Sequence, residues 1–132
     1  MTRVLTYGTF DVLHRGHIRL LTRARALGDY LVVGLSSDSF NQSKGKTSVF
    51  CYRDRELILK SLRQVDLVTR ENSWEQKIHD IKKHDIDIFV IGDDWAGKFD
   101  HLRKYCQVVY LPRTTGISTT ALKRKMAKIK KL

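Results

Sequence analysis

Apolar residues along the chain form short blocks that predict five strands separated by helices. Strand-like blocks lie at residues 4–7, 31–35, 65–69, 86–91 and 107–111. Helical spacing predicts helices over residues 13–27 and 54–63, a helix after Ser73, a short helix at 99–105 and a terminal helix from Ser118. The run at 31–35 contains no charged residue, which is typical of a parallel strand that is buried on both faces.

Turn and capping residues set the predicted ends of these elements. Gly28 is expected to end the first helix in the left-handed conformation. Ser73 and Gln76 match the capping box Ser-x-x-Gln, which predicts that the next helix begins there. Residues 36–48 are polar and contain Lys44-Gly45-Lys46, and we interpret them as one long loop.

The regular alternation of strands and helices predicts an α/β fold. Right-handed crossovers then give a single Rossmann-like domain over residues 1–132, with a five-stranded parallel sheet and helices on both faces. In such sheets ligands bind beyond the carboxyl ends of the strands, where the strand order switches. The loops at residues 8–11, 36–48, 92–97 and 112–117 are therefore expected to border the site.

Charge indicates the kind of partner. The chain of 132 residues has 25 Lys and Arg against 14 Asp and Glu, a formal net charge of +11. This balance favours an anionic partner, such as a phosphate compound, a nucleic acid or an acidic membrane face. The sequence contains no apolar run of about 18 residues, so no membrane-spanning helix is predicted. No apolar signal segment is evident either, and we therefore expect a cytoplasmic protein. Cys51 and Cys106 are expected to be free thiols.

Six cations and no acid lie in the last ten residues, which we define as the basic tail (residues 123–132). Leu122, Met126 and Ile129 form an apolar stripe that is expected to dock the terminal helix. The cations should lie on a solvated face, too far along the chain to reach the turn at Ser118, so we expect the tail to be dispensable for catalysis. Weak attraction to an anionic membrane surface is the alternative.

The junction after the first strand carries two histidines, His14 and His17, on either side of Gly16. Residues three apart at a helix start project from one face, and the helix N-terminus adds free amides and a partial positive charge. This arrangement suits a phosphate-rich ligand. Two surface histidines without a ligand, or a zinc pair without an evident third ligand, are the alternatives.

A second junction, residues 113–120, follows the last strand and opens the terminal helix. Gly116 permits a tight turn, and Ser118 and Thr119 supply hydroxyl groups and capping amides. Alone, this segment is an ordinary helix start; opposite the two histidines it would form the other half of a phosphate clamp. The Walker and Gly-x-Gly-x-x-Gly motifs are absent from the sequence, which disfavours a standard kinase, GTPase or dinucleotide site.

These two junctions are similar to the signatures of a known enzyme family. Residues 8–17, with Gly-Thr-Phe-Asp and then His-x-Gly-His, resemble the nucleotidyltransferase superfamily. Residues 113–120 resemble the Arg-Thr-x-Gly-Ile-Ser-Thr-Thr signature of its cytidylyltransferase branch, and residues 74–77 and 92–100 resemble its members that use glycerol 3-phosphate. Arg15 and Thr115 depart from the family, which often has an aromatic residue and Glu at these positions.

The resemblance implies transfer of CMP from CTP to sn-glycerol 3-phosphate, with CDP-glycerol and pyrophosphate as products, for wall teichoic acid synthesis. It implies in-line attack by the acceptor phosphate without a covalent enzyme intermediate. It also implies a homodimer, and Mg²⁺ that arrives with CTP and is held chiefly by phosphate oxygens, with no dedicated metal site in the protein.

The family pattern also implies roles for individual residues. The nucleotide-binding group comprises Thr9, Phe10, His14, Arg15, Gly16, His17, Lys46, Asp94, Arg113, Thr114, Thr115, Gly116, Ile117, Ser118, Thr119 and Thr120. Those implied to be catalytic are His14, His17, Lys46, Ser118 and Thr119. Acceptor binding is implied for Lys44 and Lys77, and supporting roles in the site or at a dimer contact are implied for Asp11, Asp38, Arg55, Arg63 and Asp66. Arg55 and Arg63 could equally form the exposed face of a helix.

Two alternative functions stay open at this point. One is the same chemistry with another acceptor, such as phosphocholine, phosphoethanolamine or ribitol phosphate; Trp74 and Trp95 could line an aromatic cage for a quaternary ammonium group. The other is a nucleic-acid binding module, which the net positive charge suggests. We expect no nucleic-acid partner, because no fold signature of such a module is present in the sequence.

Overall fold

The computed structural model describes residues 1–129. The strands are β1 Arg3–Gly8, β2 Tyr30–Ser36, β3 Leu67–Glu71, β4 Ile88–Gly92 and β5 Gln107–Leu111. The α-helices are α1 Arg15–Ala26, α2 Asp38–Ser43, α3 Tyr52–Lys60, α4 Lys77–Lys83 and α5 Thr119–Ile129, and two 3₁₀ helices span Asp93–Trp95 and Asp100–Lys104. Every predicted strand is present, and each end lies within about two residues of its expected position, which is the usual uncertainty of such boundaries.

All five strands pair in parallel, in the order β3-β2-β1-β4-β5. β1 lies in the middle, where Val4 aligns with Leu31 of β2 on one side and with Ile88 of β4 on the other. The chain builds one half of the sheet from β1 to β3 and then crosses to the other side of β1. This order confirms the predicted α/β class with a five-stranded parallel sheet.

Helices cover both faces of the sheet, because alternate residues of its strands point to opposite sides. One face packs against α1 and α3 through Leu21 and Leu59. The other face packs against α4 and the second 3₁₀ helix through Ile81 and Leu102. All four side chains are buried, and each contributes roughly 1.5–3 kcal/mol by leaving water.

The strand order switches between β1 and β4, so the sheet offers a crevice at the carboxyl ends of these two strands. The loops at residues 8–11, 36–48, 92–97 and 112–117 follow the carboxyl ends of β1, β2, β4 and β5. All four loops therefore start at one edge of the sheet, as the sequence predicts.

The end of α1 differs from the prediction. The helix ends at Ala26 with Leu27 as its C-cap, and Gly28 does not have a positive φ. A Cβ atom at position 28 would lie 2.6 Å from the carbonyl oxygen of Thr2. Glycine is therefore needed here because the start of β1 passes close by, and not because it terminates the helix.

Two predictions about the connecting segments are also wrong. α4 begins at Lys77, later than the predicted capping box; Gln76 accepts hydrogen bonds from the Ser73 and Asn72 amides, but this closes a turn that precedes the helix. Residues 36–48 are not one loop, because α2 occupies their middle. It begins where Oγ of Ser37 accepts a hydrogen bond from the Phe40 amide.

The terminal helix α5 has no buried residue. Leu122 is partly buried, but Met126 and Ile129 are exposed, so the predicted docking of the apolar stripe is wrong for these two residues. Lys130, Lys131 and Leu132 lie outside the described residues. Within residues 1–129, no helix combines the length and the apolar character needed to cross a membrane.

Candidate active site

A cavity of about 500 Å³ opens at the strand-order switch, beside the carboxyl ends of β1, β4 and β5. It brings together residues that are far apart in the sequence but lie in the predicted loops and helix starts. The lining residues with predicted roles are Thr9, Phe10, Asp11, His14, Gly16, His17, Lys46, Asp94, Arg113, Thr114, Ile117, Ser118, Thr119 and Thr120.

His14 and His17 stack against each other at the start of α1, with ring centroids 3.9 Å apart. Nδ1 of His14 accepts a hydrogen bond from the Gly16 amide at 3.0 Å, and Nδ1 of His17 accepts one from the His14 amide at 3.2 Å. The two bonds form a capping box in which histidines replace the usual residues. Because each Nδ1 is an acceptor, each neutral ring carries its proton on Nε2, where it can be donated.

Both imidazoles are neutral near pH 7. Burial, with a smaller contribution from His14, lowers the pKa of His17 to about 4. Burial also lowers the pKa of His14, and the guanidinium groups of Arg15 and Arg113 add to the effect. The pair can therefore offer two uncharged hydrogen-bond donors to a phosphate.

The turn between β1 and α1 has an unusual backbone. Phe10 and Val12 have φ of 47° and 50°, a left-handed conformation that costs roughly 1–2 kcal/mol for a residue with a side chain. Asp11, which lies between them, is buried and accepts hydrogen bonds from the amides of Val49 at 2.6 Å and Phe50 at 3.1 Å. These bonds fix the turn against the loop that precedes α3 and offset its strain.

Residues 113–120 turn from β5 into α5 beside the cavity. Gly116 has a φ of 79°, which glycine adopts without strain. Ser118 begins α5, since its Oγ accepts a hydrogen bond from the Ala121 amide at 3.1 Å. Oγ1 of Thr119 donates to the carbonyl oxygen of Asp11 at 3.0 Å. The structure thus places the amino ends of α1 and α5 on the same cavity, where their free amides favour an anion.

Lys46 reaches the cavity from a loop that Asn41 holds in place. The Lys46 amide donates to the carbonyl oxygen of Asn41 at 2.9 Å, after a left-handed turn at Gly45. The Asn41 side chain, which is buried, donates to Oγ of Ser48 at 2.9 Å and accepts a hydrogen bond from Oγ1 of Thr9 at 3.1 Å. Sequence reasoning missed Asn41, because its role depends on contacts with distant residues.

The sequence matches the model of the cytidylyltransferase-like family over residues 5–125. It is 60% identical to the glycerol-3-phosphate cytidylyltransferase of Bacillus spizizenii, in an alignment that covers 98% of this chain and 100% of that protein. It is 56% identical to the glycerol-3-phosphate cytidylyltransferase of Staphylococcus aureus, with 96% of each chain covered. The chain belongs to the cytidylyltransferase-like family.

Solved structures agree with this membership at the level of the fold. The crystal structure of a lipopolysaccharide core biosynthesis protein from Thermoplasma volcanium superposes with a TM-score of 0.74 at 27% identity, and the match covers 86% of this chain and 98% of that one. Membership of the cytidylyltransferase-like family favours a transferase over a nucleic-acid binding module as the explanation of the net positive charge of the chain.

One lysine in the cytidylyltransferase-like site was not expected there. Lys123 lines the cavity; its Nζ lies 3.0 Å from Oδ2 of Asp11 and donates to the carbonyl oxygen of Thr47 at 3.2 Å. The prediction that the basic tail lies too far along the chain to reach the site is therefore wrong for this residue. Helical spacing could have found it, because position 123 lies one turn beyond Thr119 on the same face of α5.

Lys123 supplies the positive charge beside the Asp11 carboxylate. Burial alone would raise the pKa of Asp11. The amides of Phe50 and Val49 and the Lys123 ammonium group outweigh burial, so the pKa of Asp11 is lowered and the carboxylate is charged near pH 7.

The two predicted acceptor lysines lie beside the ring of Trp74, outside the residues that line the cavity. Lys77 is buried and pairs with Glu71 at 3.0 Å, and its Nζ lies 5.0 Å from the Trp74 ring centroid. Lys44 is half-buried, and its Nζ lies 5.4 Å from the same centroid. Burial lowers the pKa of Lys44, although the Glu71 carboxylate opposes this effect.

Lys44, Lys77 and Glu71 form a group of charged side chains that we call the second polar cluster, and the Glu71 carboxylate lies at its centre. Glu71 ends β3 and is buried, and it accepts hydrogen bonds from Nζ of Lys77 and, at 2.9 Å, from Oγ of Ser36. Sequence reasoning missed it, because a single Glu at a strand end carries no signal of burial.

Arg55 is buried, so the alternative in which it lies on an exposed helix face is wrong. Its guanidinium group donates to the carbonyl oxygens of Thr9 at 3.0 Å, Ser36 at 2.8 Å and Phe50 at 3.0 Å. It also pairs with Asp38 at 2.7 Å. Arg55 and Asp38 thus join α3 to the ends of β1 and β2 and support the site without lining the cavity.

Three residues predicted to bind the nucleotide do not line the cavity. Arg15 and Thr115 are exposed, and Gly116 serves the turn through its backbone conformation. Arg15 and Thr115 are the two departures from the family pattern, so the departures fall outside the cavity lining.

The remaining supporting residues, Arg63 and Asp66, lie away from the cavity. Arg63 is exposed beyond the end of α3. Asp66 accepts a hydrogen bond from the Leu31 amide at 2.8 Å and pairs with Arg25 at 3.2 Å, at the amino end of β2. This edge is opposite the cavity, so Asp66 stabilises the start of the sheet; a role at a dimer contact stays a prediction.

Proposed function

We propose that the protein transfers CMP from CTP to sn-glycerol 3-phosphate, and that CDP-glycerol and pyrophosphate are the products. The observation that carries the proposal is the whole-length similarity to glycerol-3-phosphate cytidylyltransferases. The cavity supports it, because two helix N-termini, two neutral histidines and Lys46 border one space of about 500 Å³.

The reaction proceeds by in-line attack of an acceptor phosphate oxygen on the α-phosphorus of CTP. A bond from this oxygen to the α-phosphorus forms, the bond from the α-phosphorus to the bridging oxygen breaks, and pyrophosphate leaves with the electron pair. A phosphate monoester is already anionic near neutral pH, so the site needs positioning and charge stabilisation more than a general base.

The residues of the cavity divide this work between them. His14 and His17 donate from Nε2 to the α- and β-phosphates as negative charge moves toward the leaving group. Lys46, Ser118 and Thr119 hold the β- and γ-phosphates, and the amino end of α5 adds its free amides. Thr9 and Phe10 line the nucleotide cleft.

Asp94 and Arg113 are proposed to border the cytosine. Both line the cavity, and they pair at 3.3 Å. A carboxylate or a main-chain carbonyl group beside Arg113 accepts a hydrogen bond from the exocyclic amine of cytosine, whereas uracil presents an oxygen at that position. This contact selects CTP over UTP.

The second polar cluster is proposed to bind the acceptor phosphate through Lys44 and Lys77. The ammonium groups of both lysines already lie within about 6 Å of the Trp74 ring, the range of a cation–π contact. A quaternary ammonium group would compete with them for the same ring. This arrangement favours glycerol 3-phosphate over phosphocholine.

Mg²⁺ is proposed to enter with CTP, bound chiefly by phosphate oxygens, and to neutralise phosphate charge. The cavity carboxylates Asp11 and Asp94 each already contact a cation, Lys123 and Arg113. Within residues 1–129, no group of three or more His, Cys, Asp and Glu side chains is arranged to hold a metal ion. We therefore assign Mg²⁺ to the phosphate oxygens of CTP and not to these carboxylates.

We further propose that the protein is a cytoplasmic homodimer that supplies CDP-glycerol for wall teichoic acid. The relatives from Bacillus and Staphylococcus are named for the activity that makes CDP-glycerol, and the teichoic acid pathway rests on the family resemblance of the sequence. Val49, Phe50 and Leu57 are exposed apolar residues that a second copy could cover. Sedimentation equilibrium measures the mass of the particle and tests the dimer.

Pyrophosphate release with a panel of nucleotides and phosphorylated acceptors tests the reaction. We expect the pair of CTP and sn-glycerol 3-phosphate to give the highest kcat/KM, because the acceptor oxygens at Asp94 and Arg113 select the base and the two lysines select a small anionic acceptor. Equal or better turnover with ATP, or with phosphocholine, phosphoethanolamine or ribitol phosphate, would overturn the assignment.

A further inference from the structure

Lys123, on α5, contacts two other segments of the chain, the turn that contains Asp11 and the loop that contains Thr47. Its ammonium group lies between Oδ2 of Asp11, at 3.0 Å, and the carbonyl oxygen of Thr47, at 3.2 Å. Asp11 is 2% exposed at its side chain, whereas Lys123 is 35% exposed. The partly exposed ammonium group of Lys123 therefore neutralises the buried carboxylate of Asp11.

Asp11 is the point at which three parts of the site meet. Its carboxylate accepts hydrogen bonds from the Val49 and Phe50 amides, a few residues after Lys46 in the same loop. Its carbonyl oxygen accepts a hydrogen bond from Thr119 at the start of α5. Asp11 itself lies in the turn that leads to His14. It therefore links this turn to the loop and to the start of α5.

The proposed function requires these three parts to stand at a set distance from one another. The turn leads to the histidines, the loop carries Lys46, and α5 begins with the Ser118 and Thr119 hydroxyl groups. A misplacement of about 1 Å can lower a rate by about 10²-fold even when the displaced group is far from the reacting atoms. The contact that joins the parts therefore has a catalytic consequence.

We propose that Lys123 is a positioning residue that sets the spacing between the histidine turn, the Lys46 loop and the start of α5. This inference rests on the proposed function. Lys123 acts through Asp11 and Thr47, because its ammonium group is engaged by both of them. Without it, Asp11 keeps its amide donors but loses its cation, and α5 loses its link to the loop at Thr47.

The test compares Lys123→Met, which keeps the length of the side chain, with Lys125→Met, a matched change at an exposed position two residues along α5. For Lys123→Met we expect kcat to fall by roughly 10²-fold, as for a misplaced site, and KM for glycerol 3-phosphate to stay unchanged. Lys123→Arg should restore most of the loss, because it returns a cation to Asp11. Lys125→Met should leave kcat unchanged.

Amide hydrogen exchange supplies a readout that does not depend on turnover. We expect the Val49 and Phe50 amides to exchange at least ~10-fold faster in Lys123→Met, because the loop opens locally once its anchor is weakened. A double-mutant cycle with Asp11→Asn, which removes the charge and keeps an oxygen acceptor for one of the two amides, completes the test. Because Lys123 acts through Asp11 as well as Thr47, we expect the fold-loss in kcat of the double variant to be smaller than the product of the two single losses.

Three results bear against the inference or separate it from the proposed function. If Lys123→Met matches Lys125→Met in kcat and in exchange, Lys123 has no positioning role. If kcat falls while exchange at Val49 and Phe50 is unchanged and the two substitutions are additive, Lys123 acts directly on the phosphates, which also overturns the inference. If the parent protein shows no turnover, the proposed function fails, and the exchange rates still decide whether Lys123 holds the loop.

Discussion

His14 and His17 each use one ring nitrogen to build the fold and leave the other for chemistry. Nδ1 of each ring accepts a backbone hydrogen bond that begins α1. A substitution that removes the whole ring therefore disturbs the helix start as well as the phosphate contact, and the loss of such a cap costs about 1 kcal/mol. A test of the chemistry must keep the acceptor and remove only the donor.

Asparagine meets this requirement at both positions, because its amide oxygen can take the place of Nδ1. We expect His14→Asn and His17→Asn each to lower kcat by at least ~10²-fold, the usual scale for the loss of one preorganised donor. The circular dichroism spectrum and the melting temperature should stay close to those of the parent. Near-normal kcat in either variant would contradict a catalytic role for that histidine.

The buried imidazole of His17 predicts a measurable pH dependence. In the ligand-free protein, NMR titration of the ring should give a midpoint at about pH 4 for His17 and a midpoint below the ordinary value of about 6.5 for His14. Between these pH values the unfolded chain binds more protons than the folded one, so the free energy of unfolding should fall as the pH drops from about 6.5 to about 4. A His17 midpoint at or above 6.5 would contradict the buried, neutral ring.

Lys77 requires a paired design, because it is buried against Glu71. Removal of one partner of a buried ion pair costs about 3–5 kcal/mol, so Lys77→Ala confounds binding with stability. We expect the double variant Lys77→Met with Glu71→Gln to fold and to raise KM for glycerol 3-phosphate more than KM for CTP. Glu71→Gln alone keeps the cation but also breaks the pair, so it is the control for the loss of stability, and its melting temperature is measured together with its KM values. A selective rise in KM for CTP would assign Lys77 to the nucleotide.

At the scale of the element, α5 has two parts with different surroundings. Its first turns contribute Thr119, Thr120 and Lys123 to the cavity, whereas Met126 and Ile129 in its last turns are exposed. The basic tail is therefore not one unit, because its first cation is part of the site and the other described cations lie on exposed positions.

Neutralisation of the exposed cations tests this division. We expect the combined variant Arg124→Gln, Lys125→Gln and Lys128→Gln to keep kcat and both KM values, because these side chains are exposed. Co-sedimentation with anionic vesicles at low salt distinguishes a solvated face from weak membrane attraction, worth about 1 kcal/mol per cation near the surface. A large loss of kcat would show that the second half of α5 also belongs to the site.

The elements were predictable where local pattern decides them, and not where distant contacts do. Apolar runs located all five strands, most clearly the inner strands β1, β2 and β4, because a strand covered on both faces has few polar residues. Gly28 was misread because its role depends on Thr2, 26 positions earlier. The sequence predicts Lys123 on a solvated face and leaves Arg55 between a supporting role and an exposed face, because nothing in the local sequence reveals the carbonyl and carboxylate oxygens that surround them.

At the scale of the molecule, the site lies where parallel-sheet geometry predicts it. The two signatures bracket almost the whole chain, and the strand order brings His14 and Ser118 to the same cavity. The motifs could be found from sequence because their spacing and residue types are specific. The second polar cluster around Glu71 could not be found from the sequence, because its partners follow from the burial of this carboxylate and not from its residue type.

Because β1 lies in the middle of the sheet, a chain leaving the ribosome can pair β1 with β2, and β2 with β3, long before β4 is made. Until then, one side of β1 is an open edge of unpaired N–H and C=O groups, and Val4 and Leu5 lack their later neighbours Ile88 and Phe89. Such an edge pairs readily with other chains. A message truncated before the codon for Ile88 therefore yields an aggregation-prone fragment and not a smaller enzyme.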